Sequence, residues 1–73
     1  MSTREIVDKM TEISNDPITA NSHDGIKIFL MYYIIACRRV NNNPKGQLQR
    51  MKLIDNSVIE EGISEGWIDE SEV

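Results

Sequence analysis

Ile26-Lys27-Ile28-Phe29-Leu30-Met31-Tyr32-Tyr33-Ile34-Ile35-Ala36-Cys37-Arg38-Arg39-Val40 is the stretch on which the fold turns. From Ile28 to Cys37 it is apolar or amphipathic on every side, and Ile, Phe and Tyr favour strands. Length decides between the two readings. Fifteen residues exceed a strand of about 5–6 residues and suit a helix of about four turns. Arg38 and Arg39 then meet the negative end of the helix dipole. A helix without a polar face belongs at the centre of a domain. Burying ten such side chains, at ~1.5–3 kcal/mol each, would dominate the folding free energy. Yet a chain of 73 residues buries only roughly 60% of its unfolded surface. It cannot cover every side of that helix, and an uncovered side is a surface for a partner.

Upstream, Ser2 and Glu5 have capping-box spacing. Ile6, Val7, Met10 and Ile13 recur as one helical stripe. Arg4 and Asp8, and Glu5 and Lys9, are opposite charges four apart. Asn15-Asp16-Pro17 stops this helix near Ser14. Residues 15–25 read as a polar loop, with Asn21 or Ser22 capping the central helix and Asp24 at its positive end. His23 stands alone at that helix start.

Downstream, Asn41-Asn42-Asn43-Pro44-Lys45-Gly46 is the strongest break, because asparagine tolerates left-handed backbone angles and proline blocks continuation. Gln47 to Ile54 reads as a further helix, with Leu48, Met51, Leu53 and Ile54 inward and Arg50 and Lys52 outward. Ser57-Val58-Ile59-Glu60 repeats the capping-box pattern; a hairpin across Asp55-Asn56, within residues 51–60, is the competing reading. Ile59 and Ile63 share a face, Gly66 fits a C-terminal cap, and Trp67 and Ile68 fold back after it. Gly62 costs such a helix about 1 kcal/mol against alanine. Residues 69–73 are expected to form a flexible acidic tail. The expectation is therefore an all-α or mainly α single domain, 1–73, of three to four helices around a central apolar helix, 26–40.

Charge is segregated. Residues 1–26 carry two bases and five acids, 27–52 six bases and no acid, and 53–73 seven acids and no base. This basic centre between acidic ends bears on partners: either the acidic end neutralises the centre, or the two face different partners. Cys37, the single cysteine, forms no internal disulfide and lies in the apolar run, where it packs as a small hydrophobe. The unbridged small chain, with no N-terminal charged-then-apolar segment and no span of ~20 apolar residues, is expected in the cytoplasm and not in a membrane.

Catalysis fits poorly. The single histidine belongs to no catalytic motif, Glu60 and Glu61 point about 100° apart on a helix, and there is no glycine-rich phosphate loop or metal-ligand spacing. No catalytic residue, metal or cofactor is expected. Segment 38–52 offers Arg38, Arg39, Lys45, Arg50 and Lys52 with Asn42 and its neighbours, as the second helix of a helix-turn-helix would toward nucleic acid. Against this stand a pI near 4.8 and a turn longer than the usual three or four residues. The leading expectation is a protein-binding module. Arg38, Arg39, Asn42, Lys45, Arg50 and Lys52 would face partner carboxylates, and Ile6, Met10 and Trp67 would serve as apolar anchors.

In overall build this acidic, cysteine-poor, helical chain resembles the host-takeover proteins of bacteriophages. Among these it is similar in size and acidity to the small regulators that bind bacterial RNA polymerase, inhibiting initiation or promoting antitermination. The resemblance implies a noncatalytic role on a large nucleic-acid enzyme in the host cytoplasm, with the basic corner as an accessory contact to nucleic acid.

Overall fold

Five α-helices run through residues 2–73, which the computed structural model describes: α1 (Thr3–Asn15), α2 (Pro17–Ala20), α3 (His23–Arg39), α4 (Lys45–Ile54) and α5 (Asn56–Glu65). A 3-10 turn, Glu70–Glu72, follows, and there is no strand among the described residues. The fold is all-α, and the hairpin across Asp55-Asn56 does not form. The chain divides into two compact units, Met1–Asn42 and Asn43–Val73.

In the first unit α1, α2 and α3 pack on one another. The capping box forms as the sequence implies: the Glu5 N–H donates to Ser2 Oγ at 3.1 Å, and the Ser2 N–H donates to Glu5 Oε1 at 3.4 Å. Ile6 is buried, Met10 and Ile13 are half-buried, and Val7 is exposed. Val7 follows Ile6 by one position, about 100° round the helix, and so leaves the stripe assigned to it. Lys9 reaches forward to Glu12, at 3.4 Å, a pair worth a few tenths of a kcal/mol at this exposure.

The stretch read as a loop contains α2. Asp16 caps it, its Oδ1 accepting the Ile18 and Thr19 N–H groups at 3.1 and 3.4 Å and its Oδ2 the Thr19 hydroxyl at 2.8 Å. Pro17 takes the first helical position, where no N–H is needed. Asp-Pro thus closes one helix and opens the next. Ser22 caps α3 through the Gly25 N–H at 3.0 Å. Gly25 is needed there: a Cβ would overlap the Thr19 carbonyl oxygen.

Helix α3 ends in a Schellman motif. Asn41 has φ 59°, the Asn42 N–H donates to the Cys37 carbonyl at 2.8 Å, and the Asn41 N–H donates to that of Arg38 at 3.3 Å. Leu30, Ile34 and Cys37 are buried on one side of the helix. Its other side is not covered.

In the second unit α4 packs on α5, and the 3-10 turn lies against α4. Leu48, Val58, Ile59 and Ile68 are buried. Leu53 and Ile54, placed inward by the sequence reading, are exposed, at 90% and 70%. Ser57 does not cap α5; its hydroxyl donates to Asp55 Oδ1 at 2.6 Å, while Asn56 Nδ2 donates to Glu60 Oε1 at 3.0 Å. Gly66, at φ 87°, ends α5, and the Trp67 and Ile68 N–H groups both return to the Gly62 carbonyl at 3.1 Å. The expected fold-back occurs, and residues 70–72 of the expected flexible tail are wound into the turn on α4.

Candidate interaction surface

Ile28, Met31 and Ile35 stand at i, i+3 and i+7 on α3, which places them on one face. They are 43%, 37% and 43% exposed. Tyr32, half-buried, flanks them. Polar residues bound the stripe at both ends: Asp24, exposed, in the first turn, and Arg38 and Arg39, exposed, in the last. Neither arginine forms an ion pair among the described residues. The surface that the small size of the chain leaves uncovered is therefore apolar, about four turns long, and basic at one end.

Beside the stripe lies an open groove of about 320 Å³ between α1, α2 and α3. Its lining mixes polar Lys9, Glu12, Asp16 and Thr19 with Ile13, Ile28 and Tyr32. Its chemistry is already engaged. Glu12 is paired with Lys9, and the hydrogen bonds from Thr19, then from Ile18, hold the Asp16 carboxyl below its ordinary value of 3.8. Asp16 is thereby a helix cap in its charged form.

The residues picked from the sequence fall into three groups. Arg38 and Arg39 lie on α3 at the end of the stripe, and Asn42 follows in the Schellman motif, exposed. Lys45, Arg50 and Lys52 lie on α4, in the other unit, and all are exposed. Lys45 and Lys52 are seven apart and share a face, whereas Arg50 is about 160° from Lys52; α4 does not gather its cations on one side. The apolar anchors are placed differently from expectation. Ile6 is 1% exposed and holds the first unit together, so it is not available to a partner. Met10 and Trp67 are half-buried, and Trp67 Nε1 donates to Glu65 Oε1 at 3.5 Å.

Cys37 is buried. The Tyr33 hydroxyl next to it is pushed above its ordinary value, first by its hydrogen bond with Cys37 and then by burial. His23 opens α3, and no group of three or more His, Cys, Asp and Glu side chains is gathered to hold a metal among the described residues. No described helix is long and apolar enough to cross a membrane.

No family model matches this chain, and neither a curated protein nor a solved structure matches it.

Proposed function

We propose that this chain is a non-catalytic regulator that works by docking on a larger protein through α3. The observation that carries this reading is the exposed Ile28–Met31–Ile35 stripe ending in two exposed arginines that form no ion pair among the described residues. An apolar strip beside guanidinium groups suits a partner that offers an apolar groove with carboxylates at one end. The resemblance in build to phage regulators makes bacterial RNA polymerase the partner to try, in a host cytoplasm, with inhibition of initiation or antitermination as the outcome.

The test is co-migration of the purified chain with RNA polymerase on a sizing column. Binding that is lost in the R38E/R39E variant, with the helical circular dichroism unchanged, supports the reading. Failure to co-migrate rejects that partner, and binding that survives the charge reversal rejects the arginines as the contact. The alternative, a nucleic-acid-binding helix-turn-helix built on residues 38–52, draws on the same exposed cations. It has less support, because the α4 cations point to different sides.

A further inference from the structure

The uncovered face of α3 is self-complementary. Asp24 and Arg38 stand seven residues to either side of Met31, two helical turns each way, and so lie on the same face as Met31 itself. Ile28 and Ile35 flank Met31 at three and four residues, with nearly equal exposure. The stripe therefore carries an acid at one end, a base at the other, and matched apolar groups between.

We propose that this face binds a second copy of the chain, α3 against α3, antiparallel, about a twofold axis at Met31. Antiparallel pairing about that centre sets Ile28 of each copy against Ile35 of the other. It also sets Asp24 of each copy against Arg38 of the other, with Arg39 alongside. A parallel pairing would stack Asp24 on Asp24 and Arg38 on Arg38, and like charges oppose it. Such a contact is isologous, the closed geometry that most homodimers adopt. All the groups it needs are exposed: Asp24, Ile28, Met31, Ile35, Arg38 and Arg39. The seam, about 21 Å from Asp24 to Arg38, is at the small end of specific interfaces, so the dimer is weak and is sought at concentrations up to about 1 mM. The proposal concerns the purified chain alone and does not depend on the docking reading. If both hold, the dimer covers the docking face, and a host partner must displace the second copy.

The experiment is sedimentation equilibrium of the full chain from about 1 µM to about 1 mM, on wild type and on the D24R, R38D and I35E variants. All three positions are exposed, and circular dichroism checks that each variant remains helical. The wild type should pass from monomer to dimer within that range. D24R alone and R38D alone each replace two attractive contacts with two repulsive ones and should raise the dissociation constant at least about tenfold. I35E, which sets a carboxylate against Ile28, should abolish the dimer. Mixing D24R with R38D restores both contacts, now as a heterodimer, and should recover association that neither variant shows alone.

A wild type that stays monomeric to about 1 mM overturns the proposal. So does a dimer that survives I35E, which would place the contact on another face, or a mixture of D24R and R38D that gains nothing. A monomeric chain that loses RNA polymerase binding on I35E overturns the dimer while upholding the docking reading. A dimer that binds no RNA polymerase does the reverse.

Discussion

Replacing Gly62 with alanine sets two effects of opposite sign against each other. In an exposed helix interior the change is worth about 1 kcal/mol in favour of alanine. At this position the new Cβ would lie 2.6 Å from Ile68 Cγ1 and 3.1 Å from Trp67 Cη2. The first contact is closer than carbon atoms tolerate, so the Ile68 side chain, 4% exposed where it sits, must shift. Exposing it fully would cost about 1.5–3 kcal/mol, and overpacking of this kind costs typically about 1–3 kcal/mol. The net expectation is a loss of about 1–2 kcal/mol. Urea denaturation followed by Trp67 fluorescence reads it directly, because Trp67 is the only tryptophan. A cycle with Ile68→Ala makes the sign decisive: without the Ile68 side chain in the way, G62A should become neutral or stabilising. A stabilised G62A single variant would refute the close packing of Ile68 on α5. With it would go the reason the acidic segment after Ile68 is held near α4.

Charge reversal at Arg38 and Arg39 should remove partner capture with no loss of helical signal, measured by co-migration and circular dichroism side by side. Asp16 has a folded pKa below its ordinary 3.8, so the stability it lends is complete above that value and is lost as pH falls through the lower folded one. The Ile18 and Thr19 amides should then shift together with the Asp16 carboxyl in an NMR acid titration, and D16N should flatten that response. Truncation after Ile68 removes Asp69, Glu70 and Glu72 from beside α4. Binding of a short nucleic-acid duplex at low salt should rise on truncation and fall again with added salt; unchanged binding would show that the turn does not screen the α4 cations.

The helical class of the fold was legible because the central run is too long for a strand and because Asn-Pro and Asp-Pro punctuate the chain. Which side of α3 faces out was not legible. Leu30, Ile34 and Cys37 repeat at helical spacing, and so do Ile28, Met31 and Ile35; two faces of equal hydropathy cannot be told apart before something packs on one of them. Leu53 is a different case. It lies five residues after Leu48, about 140° round α4, so a helix that buries Leu48 turns Leu53 outward, and the spacing already contained that result. Gly62 looked like a weakness in a helix because propensity counts only the backbone. Its use appears only when Ile68 returns across it, a contact that depends on the turn at Gly66.

The segregated charge takes on a different meaning once the chain divides at Asn42 and Asn43. The first unit holds five bases and five acids, the second three bases and seven acids. The basic centre seen along the sequence is therefore shared between two units, and the low pI belongs to the second. Net acidity is then no argument against an acidic partner at Arg38 and Arg39, because those arginines sit on a unit of zero formal charge. In the second unit the 3-10 turn that carries Glu70 and Glu72 lies against the helix that bears Lys45, Arg50 and Lys52, and no ion pair joins those cations to a carboxylate among the described residues. The charge pattern therefore divides at the boundary between the units: the excess acid belongs to the second, while Arg38 and Arg39, exposed at the end of the α3 stripe, belong to a first unit with no excess of either sign.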